Sequence, residues 1–525
     1  MKNRILFCVP NIARRPNNNN RLFTLGLLYL EHAAQHAGWD TAILDAYFDN
    51  LSIEETVDAI INFGKFDIIG FTLNNDMMFE VTKSIINKIR TIYDIKPVFI
   101  AGGYYASSAE KTVLSDDGYF DFVIRGEGEN ALQDLLLSFN EKNRFYDINN
   151  LSYKNKYGKI TSNKKSKTIA NLDILGDLDF NSVSNSIKDN EWSLVTSRGC
   201  SAKCSFCLIG PHWSKYGEWR GHSAEWVVKQ LDYLINYKKA DYIQIVDDQF
   251  IGNSQSIERA WKIVQGMEKK DLYVKFNLMC RSDAVVDNQN LFERLRNRGL
   301  EAVFMGIETS NSVVNSQFNK NSLQSNDILA VNILDNLGIV SQSGTIIFHP
   351  WMTIDSLKQD IDFFSELVAS NSYFTILGIN ELDIFKRTGL GRKSKNVNFD
   401  WRYDWLEQHK PIYTVYYNWL HYQNKILFPM INNLEQSGSV VRGRAIAPLQ
   451  LEALRKVVDA YELASDASLL MIDLVGLTVS HLSKYVALDK VLSSITAYDV
   501  SGEASMERCF ERIEPNPNFT PSISI

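Results

Sequence analysis

Ser197-Arg198-Gly199-Cys200-Ser201-Ala202-Lys203-Cys204-Ser205-Phe206-Cys207 gathers three of the chain's six cysteines into one loop, spaced C-x3-C-x2-C. Three thiolates this close can hold three irons of a 4Fe–4S cluster and leave the fourth iron without a protein ligand. An iron with an open position can bind a small molecule. Structural zinc is the rival for the loop taken alone. It wants a fourth ligand, which His212 could supply.

Outward from the loop, the chain alternates short apolar runs with helical patterns. Strands are expected near 192–196, 242–246, 273–278, 301–305, 343–347 and 373–378, with helices at about 223–238, 254–270, 287–298, 322–337 and 353–369. Repeated strand–helix units put chemistry at the C-terminal strand ends. Each end here is polar or metal-binding: the cysteine loop, Asp247-Asp248-Gln249-Phe250, Cys280-Arg281-Ser282-Asp283, Gly306-Ile307-Glu308-Thr309, His349-Pro350 and Asn380-Glu381. Bland readings stand beside these. An Asp at a strand-to-helix junction often caps the helix, Arg281 can pair with Asp283, and Cys280 can be a small buried hydrophobe.

Upstream lies a second alternating region. Strands are expected at Ile5–Val9, Thr41–Leu44, Ile68–Phe71, Val98–Ala101 and Phe122–Ile124, with helices near 22–37, 52–62, 78–93, 107–115 and 128–138. That pattern predicts a doubly wound parallel sheet, whose ligands bind beyond the C-terminal strand ends. Those ends carry Pro10-Asn11, Thr72-Leu73-Asn74-Asn75, Gly102-Gly103-Tyr104 and Arg125-Gly126-Glu127-Gly128-Glu129. Residues 141–190 read as a polar linker with a hairpin turn at Asn155–Lys159. Beyond about 385 the rhythm is lost, and an aromatic-rich segment precedes helical patterns at 448–464 and 467–486.

The chain has 525 residues, 45% of them hydrophobic, with a formal charge of -7. That suffices for several cores and gives no field for nucleic acid. The cysteines form no disulfide framework and fit a reducing cytoplasm. The apolar run before Pro10 is too short for a signal peptide or a membrane span.

The cysteine motif resembles the signature of the radical S-adenosylmethionine (SAM) superfamily. The stretch Thr24-Leu25-Gly26-Leu27-Leu28-Tyr29-Leu30, the Gly102-Gly103 turn and Arg125-Gly126-Glu127-Gly128-Glu129 resemble the cobalamin-binding domain that precedes many radical SAM domains. The resemblance implies an α/β architecture: a cobalamin-binding-like, Rossmann-like domain over 1–140, the linker over 141–190, a partial (β/α)6 barrel over 191–385 and a mostly helical region over 386–525. It implies a 4Fe–4S cluster on Cys200, Cys204 and Cys207, and SAM contacted by Phe206, Asp247, Asp248, Arg281 and Glu308. It implies cobalamin near Thr72, Asn74, Gly102, Gly103, Tyr104 and Glu127. The loop Asn11–Asn20 has no histidine, so cobalt is expected to lack a protein histidine, with the dimethylbenzimidazole tail near the two glycines.

The implied activity is methylation of an unactivated carbon of a small-molecule or peptide intermediate, through a 5′-deoxyadenosyl radical and methylcobalamin. A flavodoxin- or ferredoxin-type protein is the implied electron donor. A non-methylating cyclisation, rearrangement or oxidation is the alternative. The populated rim argues against a non-catalytic sensor. Methylthiotransferases carry further upstream cysteines, and only Cys8 lies upstream here.

Overall fold

The computed structural model describes residues 2–486 except 13–22, 94–95, 116–117, 140–144, 167, 184–189, 210–218, 321, 385–387, 394–410, 437–442, 464–466 and 485. It divides into two compact units. The first comprises Met1–Ile307, Ser312–Ser343 and Asp383–Val397; the second comprises Glu308–Asn311, Gly344–Leu382 and Asn398–Ile525.

Two sheets build the first unit. The first holds β1 (Arg4–Val9), β2 (Asp40–Asp45), β3 (Ile68–Thr72), β4 (Val98–Gly102), β5 (Phe122–Ile124), β6 (Leu151–Lys154) and β7 (Ile160–Ser162), in the order β2-β1-β3-β4-β5-β6-β7. The first five run parallel, with Phe7 beside both Ile43 and Gly70, and Phe71 beside Ala101. Strands this apolar must be covered on both faces, and helices between them do so. Ser52 and Glu55 form a reciprocal cap that starts the helix Ile53–Asn62, and Asn75 caps Asp76–Ile92. The strand order reverses between β1 and β3, which opens a crevice at their C-terminal ends. The hairpin expected in the polar linker forms around Asn155, whose Oδ1 accepts from the Tyr157 and Lys159 amides. It pairs antiparallel onto β5, so this part of the linker extends the first sheet.

The second sheet of this unit contains β8 (Glu191–Leu194), β11 (Tyr242–Ile245), β12 (Lys275–Met279), most of β13 (Leu300–Glu308) and the start of β14 (Val340–Thr345), in the order β14-β13-β12-β11-β8. The pairs β8–β11–β12–β13 are parallel. Between β8 and β11 a short antiparallel ribbon, β9 (Ser197–Arg198) with β10 (Arg220–Gly221), brackets the cysteine loop.

In the second unit β15 (Phe374–Ile376) lies beside the Gly344–Thr345 end of β14, where the Thr345 hydroxyl donates to the Gly378 carbonyl. The rest is helical. Of the aromatic-rich region, Asp400–Trp405 lies outside the described residues, while Trp419 and Tyr422 are fully buried and Tyr422 bonds Thr478. Those two aromatics are core. The expected class, a parallel α/β chain with a helical C-terminal region, is the observed one. No described helix is long and apolar enough to cross a membrane.

Candidate functional site

A cavity of about 390 Å³ sits at the C-terminal side of the first sheet, beneath the start of the helix Gly26–His36. That is within the usual range for a small-molecule site. Thr72, Asn74, Gly102, Gly103, Tyr104 and Glu127 all line it, as do Ser197, Arg198, Val246 and Asp248 from the second sheet's side. One cavity is therefore walled from both sheets.

The two glycines are glycine for different reasons. At Gly103, φ is +93° and an added Cβ would lie 2.7 Å from the Leu73 carbonyl oxygen and 2.8 Å from Asn74 Oδ1. Its own chain requires the absent side chain. At Gly102 the backbone is extended, and an added Cβ would meet only the Ile124 carbonyl oxygen, at 4.0 Å. No described residue excludes a side chain there. The same is true of the exposed Gly26, which has no atom of the described residues within 4 Å of an added Cβ. Two such positions on one cavity wall form a cradle that a ligand would fill.

Glu127 lines this cavity with its carboxylate already engaged. Oε1 accepts from Arg198 (2.9 Å) and Arg220 (3.1 Å), and Oε2 accepts from the Ile169 amide (3.0 Å). Glu129 accepts from the other arm of Arg198 at 2.6 Å. Burial pushes the Glu129 carboxyl up, but the Arg198 guanidinium outweighs it and holds the group below its ordinary range. Arg198 also lies 4.9 Å above the Tyr29 ring. The Tyr29 hydroxyl bonds His222 Nε2, and His222 Nδ1 bonds Asp173, each at 3.0 Å. Burial lowers the His222 pKa to about 4 against the pull of Asp173, so the ring is neutral at pH 7. The expected site residues did not include Arg198, Glu129 or Tyr29. The only signal for Arg198 was its position two residues before Cys200.

The three cysteines form no disulfide and are half-buried. Burial raises the Cys200 thiol to about 11, with Cys207, Cys204 and Asp248 adding to the shift. No three described His, Cys, Asp or Glu side chains are gathered to hold a single ion; a four-iron cluster spreads its thiolates over separate irons. His212 lies outside the described residues, as does most of Asn11–Asn20. No histidine is among the described residues lining the cavity. Three thiols on one loop match the donor set of a cluster, and the open positions at Gly26 and Gly102 leave room on the cavity wall for part of a larger ligand.

The two adjacent aspartates diverge. Asp247 is fully buried and accepts from the amides and hydroxyls of both Thr196 and Ser197. Its carboxylate holds the chain entering the cysteine loop. Asp248 lines the cavity and accepts the Gly199 amide at 3.0 Å. Gln249 continues the pattern, accepting from the Ser201 amide (2.9 Å) and hydroxyl. Phe206 packs edge-on against Phe318 at 5.0 Å. Arg281 caps no helix through its side chain; it pairs with Asp283 at 3.1 Å and donates to the Lys320 carbonyl. Burial pushes the Cys280 thiol well above its ordinary range.

Glu308 belongs to the second unit. Its φ is +67°, a conformation rare for a residue with a side chain, and its carbonyl accepts the Ile346 amide. In the same unit His349 is fully buried, and burial lowers its pKa to about 4.

A family model described as the B12 binding domain matches residues 18–136. The chain is 26% identical to 4'-phospho-dehydrooxetanocin synthase of Priestia megaterium; the match covers 66% of this chain and 48% of the synthase. The chain thus spans about half the length of that curated relative. It is 25% identical to an uncharacterized methyltransferase, PH0819, of Pyrococcus horikoshii, over 67% of this chain and 75% of that protein. The solved structure of the cobalamin-dependent SAM radical enzyme OxsB, with aqua-cobalamin and SAM bound, superposes with a TM-score of 0.72 and 17% identity. That superposition covers 100% of this chain and 82% of OxsB. The expected cobalamin-binding segment is therefore matched in sequence over residues 18–136, and the fold of the chain is similar to that of OxsB.

Proposed function

We propose that the chain is a cobalamin-dependent radical SAM enzyme that methylates an unactivated carbon of a small-molecule or peptide intermediate. The single observation that carries this reading is the cavity walled by both sheets. It has the cradle at Gly26 and Gly102 on one side, and Arg198 and Asp248, which flank and brace the cysteine loop, on the other. In this reading a guest in that cavity lies beside the three-thiol loop. The B12 binding domain match and the OxsB-like fold support the same pairing.

In this reading Cys200, Cys204 and Cys207 hold the cluster, and Asp248, Phe206 and Arg281 approach SAM. Asp247 holds the loop and touches no ligand. Thr72, Asn74, Gly102 and Tyr104 border the cobalamin. When bound, these groups together supply a hydrogen-abstracting radical and a transferable methyl group. A carbon without polarity offers no lone pair to attack SAM directly, which is why two cofactors are needed. The protein's share is to position the guests and exclude water, the usual division in cofactor enzymes. The second reading, a non-methylating radical reaction, is favoured by the synthase among the relatives; the methyltransferase relative favours the first.

The test is anaerobic reconstitution with iron, sulfide and cobalamin, followed by counting of both metals. SAM and a reductant are then added to a candidate substrate. Release of 5′-deoxyadenosine with a product gaining one CH2 supports methylation. Release with any other mass change moves the assignment to the second reading. Failure to retain cobalamin or to cleave SAM overturns both.

A further inference from the structure

Six consecutive residues at the start of the cysteine loop are each held by a side chain from elsewhere in the first unit. Thr196 and Ser197 bond Asp247, Gly199 bonds Asp248, and Cys200 and Ser201 bond Gln249. All those partners come from the end of β11. Arg198 alone is held from the first sheet, by Glu127 and Glu129 at the end of β5. Arg220 stands directly across the ribbon from Arg198. Two like charges in register repel, and Glu127, bonded to both, sits where it offsets that repulsion. Side-chain exposure in the cluster is 6–12%.

Burying four charges is a poor route to stability. The desolvation penalty is several kcal/mol per ion, and an apolar replacement often does as well. What a hydrogen-bonded charge cluster adds is a single register. Here it joins the fifth-strand end, which walls the cavity, to the residue two positions before Cys200.

We propose that Glu127, Glu129 and Arg198 form a clasp that positions the cysteine loop relative to the guest in the cavity, and so sets the spacing between the cluster and the cobalamin. They are positioning residues. The spacing part of this inference rests on the proposed function; the clasping of the loop does not.

Two experiments separate these parts. In cofactor-free protein, alkylation by iodoacetamide is followed cysteine by cysteine with mass spectrometry. Glu129→Gln and Arg198→Met are expected to speed modification of Cys200, with Arg198→Lys lying between them and wild type. Cys8 and Cys280, both buried, are expected to stay protected. Unchanged Cys200 reactivity in both variants overturns the clasp. Equal acceleration at Cys8 and Cys280 means the residues only stabilise the fold and also overturns it. Should Arg198→Met not fold, Glu129→Gln, which keeps the shape of the side chain, decides.

In reconstituted protein, the electron paramagnetic resonance signal of cob(II)alamin is recorded with the cluster oxidised and reduced. The variants are expected to keep iron and cobalt yet show a shifted magnetic interaction between the two. An unaltered interaction at equal metal content refutes the spacing role. A wild-type protein that binds no cobalamin refutes the proposed function instead, and leaves the alkylation result to stand on its own.

Discussion

Gly102 and Gly103 are neighbours in sequence, and substitutions at them are expected to fail in different ways. At Gly102 the backbone is extended, φ -137° and ψ -173°, and an added Cβ has only one neighbour, at 4.0 Å. Gly102→Ala should therefore leave the fold intact, or stabilise it by about 0.4–1 kcal/mol through a less free unfolded chain. The new methyl instead projects into the space of the guest. Overpacking of this kind costs roughly 1–3 kcal/mol, so binding of aquacobalamin should weaken by about 5- to 150-fold, with Gly102→Val at the upper end. At Gly103 the same methyl meets the Leu73 carbonyl oxygen at 2.7 Å with φ at +93°. A backbone carbonyl cannot swing aside, so Gly103→Ala should lower the melting temperature of the cofactor-free protein. The assays are a thermal melt without cofactor and an absorbance titration with aquacobalamin. Wild-type affinity in Gly102→Val, or a destabilised fold in Gly102→Ala, would refute the reasoning, because both rest on the cradle being open.

Alanine at Cys200, Cys204 and Cys207 together is expected to abolish iron uptake and the visible thiolate-to-iron absorbance; an iron count at the wild-type level contradicts the assignment. Asp247→Asn should destabilise the protein by about 3 kcal/mol or more, because an amide offers one acceptor oxygen for donors that now bond a buried carboxylate. Asp248→Asn should instead keep the melting temperature near wild type while weakening SAM binding, which calorimetry would read. Stability should also fall in acid. The folded pKa of both His222 and His349 is about 4, below the unfolded value of about 6.5, so the unfolded chain takes up more protons in that window. The contribution is complete above pH ~6.5, declines as pH drops toward 4 and amounts to at most about 3 kcal/mol per histidine. Denaturant titrations of the cofactor-free protein across this range should show the slope. His222→Gln should flatten it, and an unchanged slope in that variant would contradict a neutral buried ring.

Much of the architecture was legible because it depends on local pattern. The strands of both sheets fall within a few residues of their expected places. The helix Ile53–Asn62 falls within the expected 52–62. The residues brought to the cavity wall by the first sheet were legible as strand ends. What each polar side chain does there was not, because that is decided by partners far away in sequence. Glu127 reads as a free carboxylate on a glycine turn, but its partners are Arg198, Arg220 and Ile169, between 42 and 93 positions away. Gly103 reads as a site of close ligand approach, but the close approach is to its own chain at Leu73.

The divergence of Asp247 and Asp248 is different, because strand geometry alone could have separated them. Side chains alternate across a strand with a period of two, and β11 keeps this alternation past its last paired residue. Val246 and Asp248 both line the cavity, and Asp247 between them does not. An apolar residue at 246 beside a polar one at 248 marks one face as the cavity face. The opposite face at 247 must then bury its carboxylate against the chain, and that is tolerable only if several donors converge on it. Thr196 and Ser197 supply those donors immediately before the cysteine loop. The same alternation that turns one aspartate toward a guest therefore commits its neighbour to holding the loop. A pair of acids at such a strand end is better read as two residues with separate tasks than as two chances at one.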